Sequence, residues 1–201
     1  MNHENLQRPL VSMTMETGAV IQFELYPDKA PNSVNGLLEM IGQQAFDQMV
    51  IQRLVPDFVF QPWYDESVMD ERFQYMIEGE FAANGFEGND LPFDKYTVGM
   101  AGDGAKTSNS CCFFITVGET RKEYLQGRFA AIGKVVSGFE ELERIMNVPM
   151  VPVETGMTGA KVNKPVKDEV IRSIRVDLRG YEPQPVKKFL PDSYLASVNK
   201  K

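Results

Sequence analysis

The chain has 201 residues, 43% of them hydrophobic and 10% aromatic, which suffices for one core of ordinary size without calling for a second domain. Its 28 Asp and Glu outweigh 21 Lys and Arg, and the net charge of -7 repels phosphate backbones and argues against a nucleic-acid partner. The only histidine is His3, which removes His-based catalytic triads and every zinc site with histidine ligands.

In chain order, residues 1–9 form a short N-terminal segment without the basic start, apolar stretch and cleavage site of a leader. No later run approaches the roughly 20 apolar residues that span a bilayer, so a cytoplasmic protein without a membrane partner is expected. "LVSMTME" and "AVIQFELY" read as two strands joined in a hairpin at Thr17-Gly18. "APNSVNGLLEMIGQQAF" changes period: Val34, Leu37, Leu38 and Ile41 recur at three and four, with Pro31 near the first turn, which predicts a helix. "VIQRLV" and "FVFQ" are strands separated by Pro56-Asp57, and "YTVGMA", "CCFFITV", "FAAIGKVV" and "EVIRSIRVDL" supply the others. "GFEELERIMN" predicts a second helix with Leu142, Ile145 and Met146 on its apolar face. Eight short strands and two helices suggest a mainly β fold: a closed eight-stranded antiparallel barrel capped by the helices. The long connections at 63–95 and 102–110 are of a kind that tends to line a site. After Leu178 the chain turns to prolines and charges. Residues 179–201 then read either as a disordered end or, from Tyr181, Val186, Phe189, Leu190, Tyr194 and Leu195, as an extension packed on the surface.

Cys111 and Cys112 are sequence neighbours, and a bridge between them would close a strained small ring, so reduced thiols are expected. As nucleophiles they would need a base or an electropositive pocket, which Ser110 and Phe113 do not offer. Buried, inert cysteines are the expectation. Chemistry without a covalent intermediate, metal or cofactor is left.

"MVIQRLVPDFVFQ" sets Arg53 among apolar residues. Taken alone, the arginine packs its stem on those neighbours and pairs its head with a carboxylate such as Asp57 or Asp65. Its surroundings point elsewhere. "QRLVPDFVFQ" resembles the cyclophilin stretch F-H-R-V-I-P-x-F-x-x-Q, with Arg53, Phe58 and Gln61 at the groove positions. "YMIEGEFAANGF" is similar to the G-E-F-x-x-N-G segment of small bacterial cyclophilins, "VGMAGDGAKTSNSCCFFITVG" to G-x-x-S-M-A … S-Q-F-F-I, and "YLQGRFAAIGKVVSGFEELERI" to L-D-G-x-Y-A-x-F-G-x-V-x-x-G. The likeness runs in order over residues 10–178 and implies peptidyl-prolyl cis-trans isomerisation of proline-containing peptides and partly folded proteins.

The resemblance makes Arg53 the catalytic residue and assigns Phe58, Val59, Phe114, Leu125 and Phe129 to a proline pocket. It lines the groove with Gln61, Ala101, Gly102, Asp103, Cys112 and Tyr124. There are departures from the pattern. Cys112 replaces the family glutamine that orients substrate. Tyr124 replaces a tryptophan and Phe129 a histidine or tyrosine, so weak cyclosporin binding is expected. Pro62 and Trp63 replace two glycines. Two other readings remain: a proline-peptide-binding module with little or no turnover, and, from "GMAGDGAKTS", a phosphate loop one residue off its usual spacing, which requires a helix after the loop.

Overall fold

The computed structural model describes residues 8–63, 71–73, 75–154 and 162–189. His3, Asp65 and residues 190–201 of the tail lie outside the described residues, as do the side chains of Cys111 and Phe189.

Strands β1 (Leu10–Met15) and β2 (Val20–Leu25) form the predicted hairpin, with Leu10 opposite Glu24 and Thr14 opposite Val20. Gly18 takes the left-handed turn conformation at φ 92°. Period-two alternation sends Val11, Met13, Met15, Ile21, Phe23 and Leu25 into the core.

Helix α1 (Pro31–Gly42) buries Val34, Leu37, Leu38 and Ile41, the residues spaced at three and four. Its N-cap, Ala30, offers no side-chain acceptor. The acceptor comes from far along the chain: Glu80 is only 7% exposed, and its Oε1 and Oε2 accept the backbone N–H groups of Asn32 (2.9 Å) and Ser33 (2.7 Å). The carboxylate satisfies two donors that a helix start leaves unpaired and sets a negative charge at the positive end of the helix dipole. Glu80→Ala is expected to cost about 2 kcal/mol of unfolding free energy in a denaturant titration. A loss within error of zero would mean that water replaces the carboxylate fully.

The other strands are β3 (Met49–Val50), β4 (Arg53–Val55), β5 (Val59–Gln61), β6 (Met76–Glu78), β7 (Thr97–Gly102), β8 (Thr107–Thr116), β9 (Ala131–Ser137), β10 (Met150–Pro152), β11 (Asn163–Pro165), β12 (Val170–Asp177) and β13 (Lys188–Phe189). Helices α2 (Lys122–Leu125) and α3 (Phe139–Met146) and two single-turn 3-10 helices, Glu71–Phe73 and Ala82–Asn84, complete the described elements. The sheet is curled and antiparallel, in the order β10-β11-β4-β5-β8-β7-β9-β2-β1-β12-β3, with β6 joined to β8 and β13 to β6. It differs from the expected closed ring of eight strands, because the ladders trace an open path of more and shorter strands. The cause is a change of partner inside "VIQRLV". Up to Val50 the chain pairs with β12, and from Arg53 it pairs with β5 and β11. Between them the Ile51 N–H donates to Glu169 and the Gln52 N–H to Pro62. One expected strand is thus two.

Helix α3 lies where predicted and buries Leu142 and Ile145. Its Arg144 forks between Glu141 and Glu169, holding the helix to the residue before β12. Among the described residues, no helix is long and apolar enough to cross a membrane.

Residues 179–189 run across α1. Asn32 reads one residue of this segment twice: its Oδ1 accepts the Lys187 N–H (2.9 Å), and its Nδ2 donates to the Lys187 carbonyl (3.1 Å). Asn35, one turn on, accepts the Tyr181 hydroxyl (3.1 Å) and the Gln184 N–H (3.0 Å). Tyr181 and Val186 pack against the main core, and β13 adds to the edge of β6.

Candidate functional site

The buried apolar residues fall into two groups. The larger lies between α1 and the sheet. The smaller comprises Val55, Val59, Leu91, Phe93, Phe114, Leu125 and Ala131, with Tyr26, Phe58, Ala101 and Phe129 half-buried at its border. All five residues expected to receive a proline ring, Phe58, Val59, Phe114, Leu125 and Phe129, belong to this second cluster.

Local structure explains how they meet. Pro56 and Asp57 turn the chain tightly, with the Phe58 N–H on the Val55 carbonyl, so that Val55 faces Val59 and Arg53 faces Gln61. Val59 and Phe60 pair with Thr116 and Ile115 of β8, which brings Phe114 alongside. Phe114 stacks on Phe93 at 5.8 Å and meets the edge of Phe129 at 6.2 Å, and Phe129 in turn contacts Tyr124 at 5.8 Å. Gly99 makes the stack possible. A Cβ there would stand 2.6 Å from the Phe114 ring and 2.7 Å from that of Phe93.

Arg53 is half-buried at the border of this cluster. Its Nη1 donates to Gln61 Oε1 at 2.6 Å, and its guanidinium carbon lies 5.9 Å from the centre of the Phe58 ring. Gln61 is itself buried, so the amide acts as a fixed bracket for the cation. Tyr124, against the Phe129 ring, is 48% exposed.

The loop from Gly102 to Thr107 borders the cluster through Gly104, where a Cβ would come within 3.3 Å of Phe129. Asp103 organises it, its Oδ1 accepting the N–H groups of Ala105 (2.9 Å), Lys106 (2.7 Å) and Thr107 (2.9 Å). Burial works against the charge on Asp103, but these N–H donors outweigh it and hold the carboxyl below the usual aspartate range. The phosphate-loop alternative meets two obstacles here. The amides a phosphate would need are already given to a carboxylate, and the loop enters strand β8 instead of a helix.

Ala101 touches both clusters, and Gly102 leaves no room for a Cβ against the Thr107 carbonyl. Cys112 is not brought to the second cluster. It is 0% exposed and packs in the main core. A glutamine there would be both larger and polar. Cys112→Gln is expected to lower the melting temperature by several degrees, for a cost of about 1–3 kcal/mol, without raising turnover. An unchanged melting curve with faster turnover would instead place this side chain in the groove.

Sequence reasoning missed several members of the site. Val55, Leu91, Phe93 and Ala131 line the second cluster, and the Phe93 N–H is held by Gln126 Oε1 at 3.1 Å. The short apolar run "LPF" at 91–93, inside a long connection, was the available signal. Arg121 is a further one: its guanidinium carbon lies 5.8 Å from the centre of the Phe58 ring. Among the described residues, no group of three or more His, Cys, Asp or Glu could hold a metal ion.

The family described as "Cyclophilin type peptidyl-prolyl cis-trans isomerase/CLD" matches residues 10–176. The chain belongs to the cyclophilin family. Among curated relatives, a peptidyl-prolyl cis-trans isomerase of Acinetobacter baylyi is 26% identical over 85% of this chain and 87% of its own length. Peptidyl-prolyl cis-trans isomerase B of Bacillus subtilis is 29% identical over 66% of this chain and 87% of its own. The match to the isomerase cyp15 of Rhizopus delemar, 29% identical over 81% of this chain, spans only 23% of that protein. A Cryptosporidium parvum cyclophilin structure superposes with a TM-score of 0.65 at 21% identity, covering 85% of this chain and 98% of that one. The same protein crystallised in the presence of the dipeptide Ala-Pro gives 0.64 at 20% identity, over 84% and 98%. At these identities the structural likeness speaks for the fold, which this cyclophilin shares.

Proposed function

We propose that this cyclophilin accelerates cis-trans isomerisation of X-Pro bonds in peptides and folding proteins, seating the proline ring on the second apolar cluster and hydrogen-bonding the twisted amide through Arg53. The observation that carries the reading is the placement of Arg53, bracketed by Gln61, at the border of a cluster that contains Phe58, Val59, Phe114, Leu125 and Phe129.

The chemistry asks little of a site. The X-Pro amide resists rotation with a barrier of roughly 20 kcal/mol because its nitrogen lone pair is delocalised. At the twisted midpoint the nitrogen becomes pyramidal and regains that lone pair. A guanidinium, always charged and rich in N–H donors, binds it there and finds no such acceptor in the planar ground state. No bond is made or broken and no proton changes owner. The aromatic cluster holds the ring while the preceding residue rotates, with Ala101, Gly102, Asp103 and Tyr124 bordering the groove.

In this reading residues 49–55 act as one bent strand that closes the sheet into a barrel, since only Ile51 and Gln52 separate β3 from β4. Residues 10–178 are the isomerase unit and the tail an accessory. The protein works in the cytoplasm, and Tyr124 and Phe129 make cyclosporin a weak ligand. A binding module with little turnover is the second reading, favoured by the burial of Cys112, which leaves the groove without the family's second amide. A protease-coupled or NMR exchange assay on a short X-Pro peptide separates the two. Acceleration by the purified protein is expected, and binding without acceleration would establish the module.

A further inference from the structure

The structure holds a second cation that isomerisation itself does not use. Arg121 precedes α2 in the left-handed region, at φ 66°, a conformation disfavoured for a side chain of this size. The segment is fixed there because the Arg121 carbonyl accepts the N–H groups of Tyr124 and Leu125. The consequence is positional. Arg121 and Arg53 both carry their guanidinium carbons to within 6 Å of the centre of the same Phe58 ring, at 5.8 and 5.9 Å.

Two nearby acids are engaged elsewhere. The Asp57 carboxylate accepts the Thr120 hydroxyl, and Glu119 pairs with Lys122 at 2.6 Å. Among the described residues Arg121 makes no ion pair and is exposed to solvent. Arg128 lies 5.5 Å from the Tyr124 ring centre, so the aromatic border carries a further cation in a chain whose net charge is -7. Exposed, unpaired cations held on aromatic rings beside a binding cleft discriminate ligands by charge more than they add to stability.

We propose that Arg121 makes this cyclophilin selective for X-Pro segments that carry an anionic side chain, a carboxylate or a phosphate, next to the proline. This rests on the isomerase reading above and adds the substrate class to it. The guanidinium meets the anion in the planar ground state and in the twisted state alike. The preference therefore belongs to binding and appears in KM, with kcat little changed.

The test is a set of tetrapeptides with Ala, Glu, Lys or phosphoserine directly before or directly after the proline, assayed with wild type, Arg121→Ala and Arg121→Glu. Wild type is expected to favour Glu over Lys by about fivefold to tenfold in kcat/KM, through KM and fading with added salt. The ratio falls to about one in Arg121→Ala and inverts in Arg121→Glu. Phosphoserine exceeding Glu identifies phosphate as the better ligand, and equality of the two identifies the carboxylate. Equal kcat/KM for Glu and Lys peptides at both positions, or a preference that survives Arg121→Ala, overturns the inference and leaves the isomerase reading intact if the Ala peptide is turned over. If no peptide is isomerised, the isomerase reading fails by itself, and calorimetric affinities of the same peptides decide the charge preference.

Discussion

Arg53→Ala is expected to lower kcat/KM for a short X-Pro peptide by about a hundredfold, the effect of removing one preorganised donor to a transition state. The loss falls mainly on kcat, because the planar substrate offers the guanidinium no lone pair to bind. Gln61 sharpens the expectation. By holding Nη1 at 2.6 Å it limits the rotamers of the cation before substrate arrives, so little entropy remains to be lost in the reaction. Arg53→Lys separates charge from geometry. An ammonium keeps the positive charge but not the planar fork, and only part of the activity should return. Circular dichroism guards against misfolding, since Arg53 occupies a strand of three residues. A folded Arg53→Ala protein with wild-type kcat would show that the twisted amide is stabilised by another group.

Truncation after Leu178 is expected to lower the melting temperature by about 5–10 °C, for a loss of about 2–3 kcal/mol in a chain of this size. The removed segment satisfies polar groups that would otherwise be stranded. Asn35 is 4% exposed and depends on the Tyr181 hydroxyl and the Gln184 N–H. Asn32 loses both bonds to Lys187, and β6 loses its edge partner. Pro183 and Pro185 restrict the unfolded segment, so docking gives up less backbone entropy than a flexible tail would. Asn35→Ala reports the same dock with the chain intact and should recover part of the loss. Activity per folded molecule is expected to stay the same, because the segment crosses α1 and not the second cluster. An unchanged melting temperature would show that these contacts contribute nothing net.

The features legible in the sequence were those with a period or a close motif. Alternation in 10–25 and the three-four spacing after Pro31 led directly to β1, β2 and α1, and the "QRLVPDFVFQ" stretch brought Arg53, Phe58 and Gln61 to one place because the three-residue connection Pro56–Phe58 fixes their register. Strands of two or three residues, such as β6, β10, β11 and β13, are too short to show alternation. Glu80 could not be read as a helix cap because its partners lie 47 and 48 positions away. The role expected for Cys112 came from the family motif alone, which carries no information on strand register. The register shifts in β8: Met100 faces Phe113 while Gly102 already faces Ser108, so the side on which 112 falls is decided by the irregularity and not by the motif. Arg121 was hidden for a related reason, since its direction follows from a backbone conformation that no neighbouring glycine announced.

Phe113 and Phe114 are consecutive, yet the first packs in the main core with Phe23 and Phe46 and the second in the smaller cluster with Phe93 and Phe129. One strand is thus the whole thickness of the wall between hydrophobic centre and proposed substrate cleft. Insertion or deletion of a single residue between 113 and 116 would exchange the two faces, delivering core side chains to the cleft and cleft side chains to the core. Length variation in relatives, and grafted loops in redesigned versions, should therefore concentrate at the connection between β7 and β8 and avoid the end of β8. Over those few positions the protein can change its residues far more easily than their number.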